Sequence, residues 1–262
     1  MISVIVPSLN QGTYIGETLD SIIDQDRPDV EVIVVDGGST DSTLEVLRSY
    51  GDRIAWTSEP DRGQSDAINK GLQRARGDIL CYLNSDDVLE PGSLSLVTRY
   101  FVDHPDSAWL FGRCRIIDAS GRPTRALVEK YKAAWGRYAR SRLSLSVLNY
   151  IPQPATFWRA SAMQVVGPID ESLYYAMDYD LWLRLSHVSV PGFIDAYLAS
   201  FRLHEASKTS KGARESLAEA CDVARCRGYR TLVPLHRAHD WVTLATYTTC
   251  YGQRSRLATS TA

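Results

Sequence analysis

Two adjacent carboxylates, Asp86 and Asp87, directly follow the apolar run Ile79-Leu80-Cys81-Tyr82-Leu83. Unpaired charges are costly to bury, so the pair belongs at the mouth of a strand and not inside it. Hard divalent cations prefer oxygen donors, and bound Mg2+ or Mn2+ would offset the repulsion between the two acids. A solvated turn with Asp at its tip is the ordinary alternative. Three earlier apolar runs end in the same way: Ile2 to Pro7 at Ser8 and Asn10, Glu31 to Val35 at Asp36, and Ile54 to Thr57 at Glu59 and Asp61. Four polar strand ends in succession suggest one pocket lined by hydrogen-bond acceptors and oxygen ligands.

The intervening segments are what must hold those ends together. Ile15, Leu19, Ile22 and Ile23 recur at helical spacing, as do Leu44, Val46 and Leu47, and a helix from Gln64 to Ala75 is closed by Gly77. Strand, loop and helix therefore alternate four times at about 25-residue spacing, the pattern of an α/β fold with a mostly parallel sheet flanked by helices. In such sheets ligands bind beyond the carboxyl ends of the strands. The first strand is followed by neither a Walker loop nor G-x-G-x-x-G, so any phosphates must be neutralised by another route, which a cation at Asp86 and Asp87 would provide.

Composition narrows the function classes. The 262 residues suffice for a sizeable core, and the net charge is −2. Residues 1–112 carry 8 Lys/Arg against 19 Asp/Glu, whereas residues 113–207 carry 12 against 8 and residues 208–262 carry 9 against 4. An acidic first half argues against a nucleic-acid partner. The basic second half is either solvated surface or an attraction for an anionic membrane face or acceptor. Five cysteines without a CxxC pair favour reduced thiols and a cytoplasmic setting. No apolar run of about 20 residues predicts a membrane span, and Ile2 to Val6 is too short for a leader's apolar stretch.

Three segments stand out in the first part of the chain: Val4-Ile5-Val6-Pro7-Ser8-Leu9-Asn10, Val34-Val35-Asp36-Gly37-Gly38-Ser39-Thr40-Asp41 and Glu59 through Gly71. Gly77-Asp78 with Leu83 through Asp87, Gln153 through Arg159, Asp178 through Arg184 and Phe201-Arg202-Leu203-His204 complete the set. Together these segments resemble family 2 glycosyltransferases of the GT-A fold, inverting enzymes that use nucleotide-sugar donors. The resemblance covers about residues 1–208, a GT-A nucleotide-sugar-binding and catalytic domain, and leaves 209–262 as a C-terminal helical extension. It implies that Asp36 recognises the nucleotide base, with Pro7, Ser8, Asn10 and Asp61 beside it. It further implies that Asp86 holds the ribose and donor sugar, that Asp87 ligates Mn2+ or Mg2+, and that His204 contacts the metal or the diphosphate. Asp178 takes the general-base position, and Gln153 falls by the acceptor. Asn84 replaces an acidic residue of the family pattern, and Met177 replaces a Glu.

Other residues carry two readings. Asp66 sits at i and Asn69 at i+3 of one helix, where local capping competes with a role near the nucleotide. Asp178 suits the first turn of a helix whatever its chemistry, and Asp180 is placed to pair with Arg184. Trp158 and Trp182 suit a core, with Trp182 also an acceptor-side candidate. Residues 113–150 read as a mobile acceptor-side segment or a solvated insertion. Helices are expected over 216–227 and 232–248, the second with Trp241, Leu244, Tyr247 and Tyr251 on one face, for packing on the domain, pairing of two chains or peripheral membrane contact. The sequence thus predicts a metal-dependent inverting transferase that moves sugar from a nucleoside-diphosphate sugar, UDP-linked by family habit, to a glycan or lipid-linked acceptor. A catalytically silent nucleotide-sugar module and a sugar nucleotidyltransferase are the alternatives. The first should have lost Asp86, Asp87 or Asp178, and the second needs a cationic loop after the first strand.

Overall fold

The computed structural model describes residues 1–205, 207–208 and 212–238. Four parallel strands form one half of a twisted sheet: β1 (Ile2–Ser8), β2 (Val30–Asp36), β3 (Ala55–Ser58) and β4 (Ile79–Tyr82), in the order β3-β2-β1-β4. Their near-continuous Val and Ile content suits a sheet covered on both faces. Register aligns the polar ends: Ser8 lies beside Asp36, and Asp36 beside Ser58. Helices α1 (Ile15–Ile23), α2 (Thr43–Ser49) and α3 (Gln64–Arg74) connect the strands. Ile15, Leu19 and Ile22 of α1 are buried, each contributing roughly 1.5–3 kcal/mol.

The second half of the sheet is mixed rather than mostly parallel. A short β5 (Val88–Leu89) and α4 (Ser93–Asp103) lead to the long β6 (Trp109–Asp118) and its hairpin partner β7 (Pro123–Thr124). Helices α5 (Ala126–Tyr138) and α6 (Arg142–Val147) follow, then β8 (Thr156–Arg159), α7 (Ala160–Val166), α8 (Met177–Val188) and β9 (Gly192–Leu203). β8 runs antiparallel between β4 and β6, β9 runs parallel to β6, and β5 runs antiparallel to β9. Residues 113–150 are therefore not a loose insertion, because their first six residues belong to a central strand. Arg113 and Arg115 escape burial of bare charge by lying over the Tyr197 ring, at 4.1 and 3.9 Å.

Beyond β9, α9 (Ala213–Cys226) packs on α8, and its Ala220, Val223 and Ala224 share a buried cluster with Trp158, Tyr179 and Trp182. A further helix begins at 233. The remainder of the expected 232–248 helix, with Trp241, Leu244, Tyr247 and Tyr251, lies outside the described residues. No described helix is long and apolar enough to cross a membrane.

Gly77 is not the cap of α3, whose C-cap is Ala75. A Cβ on Gly77 would lie 2.7 Å from the Ser3 backbone nitrogen, so the glycine allows a close approach to β1. Gly71 serves the contact between α3 and β1 in the same way, since a Cβ there would lie 2.4 Å from Ile5 Cγ2. In an open helix, Gly→Ala stabilises by about 1 kcal/mol. We predict the opposite sign for Gly71→Ala, a loss of about 1–3 kcal/mol from overpacking, read as a lowered urea midpoint.

Candidate active site

The carboxyl ends of β1, β2 and β3 are tied together by side chains. Asp36 is wholly buried. Its Oδ2 accepts from the backbone N–H of Gly38 (3.1 Å) and Ser39 (2.8 Å) and from Ser58 Oγ (2.6 Å), while Oδ1 accepts from Ser39 Oγ (2.5 Å). Asn10, with φ at 53°, accepts from Thr40 N–H at 2.9 Å and donates its own N–H to Ser39 Oγ at 2.7 Å. The base-recognising position assigned to Asp36 is thus filled by a carboxylate with no exposed surface. Asp61 is the part-exposed acid of this face, and it lies so close to Gly37 that a Cβ there would be 2.6 Å from its Oδ2. Pro7 and Ser8 are buried at the end of β1, and the Ser8 hydroxyl lacks a hydrogen-bond partner. Asp66 is buried, accepts the Arg62 N–H and pairs with Arg62 and Lys70. It organises the turn before α3.

The two acids after β4 have different surroundings. Asp87 is wholly buried, with Oδ1 accepting from Arg202 N–H at 2.9 Å and Oδ2 from Asn84 Nδ2 at 3.0 Å. Burial first, and the neighbouring Asp86 second, push its carboxyl well above the usual carboxylate range. The Asp86 side chain is 16% exposed and its Oδ2 lies 2.9 Å from His204 Nε2. This meeting follows from register: the antiparallel pairing of Val88 with Ser200 brings the end of β9 over the turn. Arg202 fixes the arrangement. Its Nε donates to the Asp86 carbonyl at 2.8 Å, an Nη ion-pairs with Glu17 at 2.6 Å, and the guanidinium lies over the Tyr14 ring at 5.1 Å. Tyr14 in turn lies against the His204 ring, with centroids 4.8 Å apart.

Asp178 stands in the first turn of α8, where the helix dipole favours a negative charge. It is part-exposed, and its Oδ1 accepts the Tyr179 N–H at 2.6 Å. Desolvation pushes its pKa up to about 6, against the pull of Lys132 and Lys208. Burial first, and then the charges of Asp178 and Asp87, push the Tyr82 phenol well above its ordinary value. A chain of hydrogen bonds runs from Asp87 to the segment before Asp178. Asn84 donates to Asp87 and, at 3.1 Å, to Gln153 Oε1, while Gln153 donates to the Tyr82 carbonyl at 2.7 Å. Gln64 donates to Asn84 Oδ1 at 2.7 Å and accepts from Lys208 Nζ at 3.0 Å. Lys208 also donates to the Tyr174 carbonyl at 2.9 Å, four residues before Asp178.

Of the residues expected at the site, the structure brings Asp86 against His204 and Gln153 against Asn84, and sets Asp61 beside Gly37 with Asn10 in the neighbouring loop. Trp182 does not belong there. It is wholly buried and stacked on Trp109, with centroids 5.8 Å apart, so no acceptor can reach it. Asn69 is structural, bonding both the N–H and the carbonyl of Ile169. Asp180 is buried between Arg184 (2.8 Å) and Arg227 (2.6 Å). A separate hollow of about 520 Å3 lies beside these groups, lined by Gln73, Ile169, Asp170 and the two arginines among others. Of the residues given a site reading in the sequence, Asn69 alone lines it. Gln64, Lys208 and Arg202 were missed as site-forming groups. Arg202 stands within a motif, but neither hydropathy nor spacing marks a buried arginine as a bolt.

A model of the family described as Glycosyl transferase family 2 matches residues 3–166. The chain belongs to that family. An uncharacterized glycosyltransferase of Rickettsia prowazekii is 30% identical over 216 residues, which span 80% of this chain and 66% of the relative. The chain thus covers just under two thirds of that relative's length. Among solved structures, S. aureus TarS 1-349 in complex with UDP-GlcNAc superposes with a TM-score of 0.64 at 20% identity, covering 86% of this chain and 66% of that one. The mannosyltransferase PcManGT of Pyrobaculum calidifontis, in complex with GDP-Man and Mn2+, gives 0.64 at 17% identity, covering 98% and 80%. At such identities the likeness establishes the GT-A fold that the family 2 motifs imply.

Proposed function

We propose that this chain transfers a sugar, with inversion, from a nucleoside-diphosphate sugar to a hydroxyl of a glycan or lipid-linked acceptor. The observation that carries the reading is the meeting of Asp86 with His204 at the end of β4, from whose turn Asn84, Gln64 and Lys208 run to the segment that precedes Asp178. Asp178 takes the proton from the acceptor hydroxyl as that oxygen bonds to the anomeric carbon. The bond from that carbon to the diphosphate oxygen breaks in the same displacement, which inverts the centre. A positioned base of this kind contributes about 10²- to 10⁴-fold.

The donor set at Asp86 and His204 fits a divalent cation. Mg2+ and related ions commonly bind through one or two protein groups and complete their shell with substrate phosphates and water. Among the described residues no group of three or more His, Cys, Asp or Glu could hold a metal, so donor phosphates and water would have to complete the shell. When bound, the cation supplies Lewis-acid stabilisation of charge on the departing diphosphate. Asp87, which the motif alone nominates as ligand, is here the buried brace of the turn, so the ligand role moves to Asp86. Base contact likewise moves from Asp36 to Asp61, the part-exposed acid beside Gly37. UDP-GlcNAc and GDP-Man on the two structural neighbours support a nucleotide-sugar donor while differing in base and sugar.

A thermal-shift screen of nucleotide-sugars with and without Mn2+ selects the donor, because a ligand of the folded state raises its apparent stability. With that donor, Asp86→Asn and His204→Gln should each cut Mn2+-stimulated turnover at least tenfold, and full Mn2+ response in both variants would reject the site. Asp178→Asn should lower kcat about 10²-fold or more and leave nucleotide affinity nearly unchanged. Because burial disfavours the charged form, the acid limb of the rate profile should fall near pH 6 and not near 4. Activity should rise tenfold per pH unit below that point and level above it. A limb near pH 4 would contradict the assigned base.

A further inference from the structure

The C-terminal extension reaches the segment that carries Asp178. Glu219 of α9 accepts three consecutive backbone N–H groups: Tyr174 at 2.9 Å on Oε1, then Tyr175 at 2.5 Å and Ala176 at 2.6 Å, both on Oε2. Ala176 is the N-cap of α8, and Asp178 is the second residue of that helix. Helix N-terminal amides need acceptors, and the N-cap residue Ala176 makes no side-chain cap bond of its own. The carboxylate therefore arrives from α9, forty-two residues after the helix it secures begins.

Two further contacts hold the same segment. Lys208 Nζ donates to the Tyr174 carbonyl and lies 3.9 Å from the centre of its ring. Gly212 leaves room for Tyr175, since a Cβ there would lie 2.0 Å from the phenol oxygen. The segment 174–176 is thus held by groups from 208, 212 and 219, all after the region that matches the family model. The neighbouring Met177, where the family pattern has an acid, accepts only the Ser65 hydroxyl through its sulfur.

We infer that Glu219 is a positioning residue for transfer, holding the start of α8 so that Asp178 faces the acceptor hydroxyl in its desolvated setting. This rests on the reading of Asp178 as the base. Glu219 touches neither donor nor acceptor and acts only through the backbone that it fixes. Charge-assisted bonds to backbone amides are stronger than neutral ones, so a carboxylate serves better here than an amide.

The test uses Glu219→Ala and Glu219→Gln in the full chain, with Asp222→Ala as a control at an exposed position of the same helix. Three readouts are taken: kcat with the donor chosen by thermal shift, calorimetric affinity for the matching nucleoside diphosphate with Mn2+, and the pH profile. Glu219→Ala should lower kcat about 10²-fold, the scale of a misplaced catalytic group, with nucleotide affinity within twofold. Its acid limb should shift below pH 6 as Asp178 gains water. Glu219→Gln should fall about tenfold, and it carries the test if the alanine variant fails to fold. Asp222→Ala should match the parent. Parental kcat in both Glu219 variants overturns the inference. So does an equal loss of rate and nucleotide affinity with an unmoved acid limb, which would mark general structural support. Asp178→Asn separates the two claims. If it is inactive while both Glu219 variants turn over normally, only the positioning role fails. If it is fully active, the base assignment itself fails.

Discussion

Two neighbouring carboxylates cannot both be buried and both be charged without large cost, and the region around β4 is built on how this chain separates them. Asp87 goes inward, where the Arg202 N–H and the Asn84 amide occupy its two oxygens. Asp86 stays at the mouth against His204. The separation depends on β9 returning antiparallel to β5, because only that pairing brings Arg202 and His204 over the turn. Arg202 is costly to bury on its own. Its carbonyl contacts, the Glu17 ion pair and the Tyr14 ring offset that cost while joining α1, β4 and β9 at one point.

From this point, polar contacts run toward the other end of the face. Asn84, Gln64 and Lys208 link the braced acid to the segment before α8, and Glu219 secures that segment from the opposite side. Amide side chains suit such a chain because each donates and accepts at once. Asn84 stands where the family pattern has an acid, and in this chain its amide couples three neighbours that a carboxylate could only accept from. The asymmetry of charge has a local counterpart. The acidic first half supplies Asp61 and Asp86, and the basic second half supplies Lys132 and Lys208 near Asp178.

Much of this was legible before the structure. The alternation of Val/Ile runs with amphipathic segments gave the parallel half of the sheet, and polar residues at four successive strand ends pointed to the candidate face. Motif order added Asp178, Gln153 and His204. What failed to show has physical causes. Adjacent acids look alike in sequence, so which of Asp86 and Asp87 turns inward depends on the partner strand more than a hundred residues away. A tryptophan's burial is set by packing against Trp109 and Trp158, and helical spacing alone left Trp182 open to two readings. β6 was hidden by Arg113 and Arg115, whose charges break the apolar alternation and are accommodated by the Tyr197 ring together with Asp195 and Glu90. Glu219 looked like any surface acid on an amphipathic helix, since its partners are backbone amides that carry no sequence signature.

The central claim is that Asp86 and His204, not Asp87, form the open end of the site. Pulsed electron paramagnetic resonance of Mn2+ bound with a nucleoside diphosphate tests it most directly, because a coordinated imidazole couples its nitrogen to the metal spin. The account predicts nitrogen coupling in the parent protein, its loss in His204→Gln and its persistence in Asp87→Asn. A parent spectrum without nitrogen coupling, or one abolished by Asp87→Asn with the fold intact, would contradict it.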